Sequence, residues 1–192
     1  MACILAVAFI SACDTTSGAP ALPSGAHWLS SSVVSEYGPV RQPNRANPSD
    51  TRSPESILAA ATLAQIRSEA LAAAGPLPAL NPCETDVDVA DTCWTKTSDP
   101  GGLLFLAVAT PGECRATKDK VALGGSTLYF IHWIGNSPGE GFCQGAMSAT
   151  AYRLYAVPMT SLPKTGTLSV QLVVQDQRYG TTVADTSKVE LG

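Results

Sequence analysis

The chain has 192 residues, enough for one folded domain with a leader and a connecting segment. It is 45% hydrophobic and 15% charged, with a net charge of −4 and its Lys and Arg scattered, so no nucleic-acid partner is expected. No apolar run reaches the roughly 18 residues a bilayer-spanning helix needs, and 14 prolines favour a strand- and loop-rich fold over a helical bundle.

Residues 1–12 read as a signal peptide. Ala2 to Ile10 is apolar, about the length of a signal-peptide core and too short to span a bilayer. The stretch ends in Ile10-Ser11-Ala12-Cys13: an aliphatic residue, two small residues and a cysteine. This sequence resembles the lipobox of bacterial lipoproteins. The resemblance covers these thirteen residues and no more. It implies that the leader is cut before Cys13 and that the Cys13 thiol takes a diacylglycerol. It also implies that the new amine takes a further acyl chain such as palmitate. Two or more chains give stable anchoring where one gives marginal binding. The implied location is the cell membrane or envelope, outside the cytoplasm. Asp14 at the following position favours the inner membrane under enteric-type sorting. The segment departs from the pattern in one respect: no Lys or Arg precedes the apolar stretch, which leaves a start upstream of Met1 open.

Cysteine usage fits export. Once Cys3 leaves with the leader and Cys13 takes lipid, Cys83, Cys93, Cys114 and Cys143 remain. An even number in an exported chain is expected to form disulfides, with three pairings open. Proximity in sequence favours Cys83–Cys93 and Cys114–Cys143. A zinc site is the weaker alternative, because no Cys-x2-Cys or Cys/His pair has ligand spacing. No metal or cofactor is expected.

Residues 13–53 follow as the lipidated cysteine and a flexible tether, rich in Pro, Ser, Gly and Asn. Within it, Trp28, Leu29, Val33, Val34 and Tyr37 have strand character and leave a docked strand open. Residues 54–75 are predicted to be a helix. Ser53 would cap it, Pro54 would occupy its first position, and Gly75-Pro76 would stop it. Ala59, Leu63, Ile66, Ala70 and Ala73 would share its packing face.

Residues 80–192 are predicted to form a disulfide-stapled β-domain. Leu103 to Thr110 is continuously apolar, and Thr127 to Ile134 is apolar on both faces, as a central strand requires. Thr150 to Val157, Thr167 to Gln175 and Thr181 to Leu191 supply further strands. In the second of these, Leu168, Val170, Leu172 and Val174 point in, while Thr167, Ser169, Gln171 and Gln175 point out. Gly- and Pro-rich clusters separate the strands. The expected fold class is therefore mainly β: an antiparallel β-sandwich of immunoglobulin-like size, preceded by one α-helix.

Several motifs suggest chemistry without completing it. Gly135-Asn136-Ser137-Pro138-Gly139 matches G-x-S-x-G, the nucleophile elbow of α/β-hydrolases. No helix can follow it and no His lies downstream, so a Gly-rich loop is expected instead. Leu162-Pro163-Lys164-Thr165-Gly166 matches the sortase motif, but neither a hydrophobic span nor a basic tail follows, and a hairpin turn is expected. Glu84, Asp86, Asp88 and Asp91 are acidic but miss the EF-hand spacing. Of the two histidines, His27 lies in the tether region and His132 in the most apolar strand, where a satisfied core histidine is expected. No catalytic residue is assigned.

The function expected from these features is a membrane-anchored lipoprotein with a β-sandwich binding or structural module. Its partner would be an envelope protein or glycan. The binding residues would be Trp133, Asn136 and Phe142, around a loop from Gly135 to Gly145. The alternatives are an envelope hydrolase and a protease inhibitor presenting a disulfide-bound loop.

Overall fold

Burial on both faces from Leu104 to Thr110 makes this stretch the spine of one sheet. A computed structural model describes residues 18–41, 55–66, 101–111, 115–138 and 149–192. The strands in chain order are β1 (His27–Leu29), β2 (Ser32–Arg41), β3 (Ser56–Ala60), β4 (Leu103–Pro111) and β5 (Arg115–Gly124). They continue with β6 (Thr127–Pro138), β7 (Ala149–Pro158), β8 (Gly166–Asp176) and β9 (Gly180–Leu191). They form two sheets, ordered β1-β5-β6-β8-β9 and β2-β7-β4-β3. The fold is mainly β and sandwich-like, as its alternating and continuous apolar runs imply.

The two sheets meet through a shared apolar layer. Leu104, Leu106 and Val108 of β4 and Tyr155 and Val157 of β7 face Val121, Leu128, Phe130, Leu168, Val170 and Leu172 from the other sheet. Fully burying a side chain of this size contributes about 1.5–3 kcal/mol. The other face of β4, with Phe105, Ala107 and Ala109, is buried too, under Leu63 and Ile66. That second layer explains why β4 carries no polar alternation.

Every strand pair is antiparallel except β6 and β8, which run parallel. The chain leaves β6, passes through β7 in the opposite sheet and returns to β8. The segment from Leu162 to Gly166 is therefore not a hairpin turn: it carries the chain from one sheet to the other. The β5–β6 hairpin is a true one. Its two-residue connection opens with Gly125 at φ 59°, in the left-handed region where glycine pays no steric penalty.

The predicted helix over 54–75 needs correction. Ser56–Ala60 is a strand paired with Ala109 to Phe105 of β4, and helical backbone covers residues 63–66. Its start is a capping box. The Gln65 N–H donates to Thr62 Oγ1, and the Thr62 N–H donates to Gln65 Oε1, each at 3.2 Å. Ala- and Leu-rich composition favours helix locally, but an open edge beside β4 buries the same residues better as strand. Leu63 and Ile66 do pack on the domain, as their spacing suggested. Part of the segment expected to be a tether, 13–53, is instead strand: β1 pairs with β5 and β2 with β7.

The sheets are pinned together at one edge. Leu172 pairs with Asp185 and Val173 with Val183, so Ala184 is the extra residue of a β-bulge. Asp185 Oδ2 accepts the Ile57 backbone N–H at 2.8 Å, joining β9 of one sheet to β3 of the other.

Candidate functional site

The densest polar chemistry among the described residues lies inside the sandwich, at one end of its apolar layer. Asp119 on β5 stands directly opposite His132 on β6, and both share the inward faces of their strands with Val121 and Phe130. Asp119 Oδ1 is 2.7 Å from His132 Nδ1. An ionised carboxylate only accepts, so Nδ1 carries the hydrogen. Asp119 Oδ2 accepts from the Tyr155 hydroxyl at 2.5 Å and from Arg153 Nη1 at 3.3 Å, both from β7 across the layer. Burial pushes the Asp119 carboxyl up. The His132 hydrogen bond and charge, the Tyr155 hydrogen bond and the Arg153 charge together outweigh it, so its pKa lies below the ordinary carboxylate value.

His132 is 1% exposed. Its Nε2 has no hydrogen-bond partner among the described residues. The imidazole is fixed by Asp119 on one side and enclosed by the core on the other. Chemically, this is the oriented half of a His–Asp pair with no nucleophile described beside it. The expectation of a satisfied core histidine holds at Nδ1 and not at Nε2.

A second polar feature lies on the opposite side of the same sheet. The segment from Gly18 to Ala26 crosses the outer face of the five-stranded sheet as a strap. Gln175 Oε1 accepts the Ala21 N–H at 2.7 Å, and Gln175 Nε2 donates to the Ala21 carbonyl at 2.8 Å. Lys118 Nζ donates to the Gly18 carbonyl and lies 5.2 Å from the centre of the Trp133 ring. This strap explains why Gln175, expected to point to solvent, is buried.

Of the three expected binding residues, two lie among the described ones, and both are on β6 rather than on a loop. Trp133 is buried beneath the strap, with Gly18 resting on its ring. A Cβ at Gly135 would stand 2.7 Å from the same ring, so glycine leaves the room that Trp133 occupies there. Asn136 is exposed, and its backbone N–H donates to Gln177 Oε1 at 2.9 Å. Phe142, Cys13, Cys83, Cys93, Cys114 and Cys143 lie outside the described residues, as does the acidic cluster from Glu84 to Asp91. The elbow-like motif does not make an elbow: Gly135 to Pro138 continues strand β6, where a strand-to-helix turn would be required. The loop expected there is extended strand instead. Among the described residues, no group of three His, Cys, Asp or Glu is placed to hold a metal ion.

At the β8–β9 turn, Asp176 carries two tasks. Its Oδ1 accepts the backbone N–H groups of Arg178 and Tyr179, which shapes the turn. Both its oxygens accept from the Arg115 guanidinium, at 2.8 and 2.5 Å. The Arg115 hydrogen bonds, helped by the Arg178 and Tyr179 N–H groups and working against burial, hold the Asp176 carboxyl at about 2. A carboxyl lowered by folding stabilises the fold above its unfolded value and loses that contribution as pH falls through its folded value. Acid titration of the wild type followed by fluorescence should therefore show a loss of stability between about pH 4 and pH 2 that is smaller in Asp176→Asn. Equal losses in the two proteins would exclude this role.

Asp119, Arg153 and Tyr155 were not singled out from sequence. Asp119 sits between Lys118 and Lys120, a pattern that reads as a solvated strand end, and its partners are 34 and 36 residues away.

Fold and site together define a two-sheet β-sandwich with a charged cluster in its core and an N-terminal strap across one face. No protein-family model, no curated protein and no solved structure matches the chain.

Proposed function

We propose that the chain is a lipid-anchored extracytoplasmic lipoprotein whose β-sandwich serves the cell envelope as a binding or structural module. The observation that carries this reading is the Ile10-Ser11-Ala12-Cys13 sequence at the end of an apolar stretch. The fold is compatible with it, because Gly18, five residues after Cys13, is held on the domain by Lys118. The proposal includes two disulfides among Cys83, Cys93, Cys114 and Cys143. Its partner would be an envelope protein or glycan.

The hydrolase alternative draws its support from the Asp119–His132 pair. Against it, the imidazole is enclosed, and Asp119 is shared with Tyr155 and Arg153 in a way that suits holding β5, β6 and β7 together.

Cys13→Ser is expected to leave an uncleaved or soluble product, whereas the wild type should carry diacylglycerol and acyl mass on an N-terminal Cys13. Intact mass and membrane fractionation read both, and the non-reducing spectrum reads the two disulfides as well. A Cys13→Ser product that still partitions with membranes at the processed size rules the reading out.

A further inference from the structure

We propose that the outer face of the β1-β5-β6-β8-β9 sheet is a membrane-contact surface, resting on the anionic headgroups of the bilayer that holds the Cys13 lipid. This rests on the lipid-anchor reading above and adds an orientation to it.

Three observations carry it. The first is reach. Gly18 lies against Trp133 on this face, and the chain from Cys13 to Gly18 spans five residue steps. Fully extended, such a segment covers at most about 18 Å. A lipid on Cys13 therefore keeps Gly18, and the Trp133 end of this face with it, within that distance of the bilayer.

The second is the placement of exposed apolar side chains. The large exposed hydrophobics among the described residues are Leu22, Trp28, Val33, Tyr179 and Val183. All but Val33 belong to this sheet or its strap. Trp28 pairs with Ala122, and Val183 with Val173, on the face that carries Ile131 and Tyr129. Leu22 projects from the strap. Tyr179 is 82% exposed at the β8–β9 turn, beside the Arg115 guanidinium. Trp and Tyr at a rim with an apolar side and a wet side suit a headgroup interface.

The third is charge. The chain as a whole carries −4. By strand register, Lys118, Lys120 and Lys188 project from this face, each exposed, and Glu190 is the one acid among the described residues that joins them. Arg178 is exposed at the turn below. Clustered cations beside apolar side chains are the surface that anionic lipid attracts. A second copy of this chain would present the same cations to one another, which disfavours a dimer through this face.

The test uses the full, lipidated chain on vesicles of phosphatidylglycerol and phosphatidylethanolamine, with and without bromine on the acyl chains. Brominated lipid is expected to quench that part of the tryptophan emission which Trp28→Phe removes. The quenching is expected to weaken in Lys120→Glu/Lys188→Glu and on vesicles of phosphatidylcholine alone. Intact mass on the same sample separates the two failures. Lipid on Cys13 with unquenched Trp28 overturns the contact surface and leaves the anchor standing. No lipid on Cys13 overturns the anchor, and the surface with it. A dimer in detergent solution that dissociates on Trp28→Glu, with Trp28 unquenched by brominated lipid, gives the face to a second copy and overturns the membrane contact.

Discussion

Asp119→Ala is expected to destabilise the fold by about 3 kcal/mol or more, because removing one partner of a buried charged cluster strands the others. The carboxylate is the common acceptor for β6 and β7. Without it, His132 Nδ1–H loses its acceptor in the core, and Tyr155 and Arg153 lose one of theirs. Urea unfolding at neutral pH measures the loss. The pH dependence has a fixed sign. The Asp119 carboxyl lies below the ordinary value in the folded protein, so its contribution is whole above that value and fades as pH falls through the folded one. The gap between wild type and variant should therefore narrow under acid. A loss below about 1 kcal/mol at neutral pH would mean that the cluster does not tie these strands together.

Phe130→Ala is expected to cost about 3–5 kcal/mol, the range for deleting a fully buried aromatic ring. Phe130 has no exposed surface and meets Tyr155 edge to face, with ring centroids 4.7 Å apart. The same ring therefore both fills the layer between the sheets and positions the Tyr155 hydroxyl for Asp119. That arrangement predicts coupling: the double variant with Asp119→Ala should lose less than the sum of the two single losses. Chemical denaturation of the four proteins reads this. Strict additivity would show that packing and the polar cluster are independent.

How far the sequence reaches depends on how local each signal is. The runs Leu103 to Thr110 and Thr127 to Ile134 were legible because burial on both faces writes itself as uninterrupted apolar sequence, and β4 and β6 are inner strands of their sheets. Strand direction leaves no such mark. An alternating run reads the same either way, so the parallel pairing of β6 with β8 was hidden. Residues 56–60 misled because Ala and Leu favour helix and only the neighbouring strand overrides them. The strap misled in the opposite sense. Its Pro, Ser and Gly content describes a segment unable to bury much surface, yet the Gln175 side chain and the Lys118 ammonium hold it by its backbone. The Asp119 cluster was illegible because it is assembled from three strands in two sheets. His132 alone gave a hint, as a titratable group in an apolar run.

The Gln175–Ala21 pairing joins positions 154 apart in sequence, which gives the domain a temporal order. A chain made from its N-terminus has no Gln175 clamp for Ala21 until β8 has been synthesised. Until then only contacts with β5 and β6, such as those of Gly18 with Lys118 and Trp133, are there to hold the strap. The paired hydrogen bonds of Gln175 with Ala21 are therefore the last of these contacts that synthesis makes possible, and the N-terminal edge of the domain is fastened by a strand made near its end.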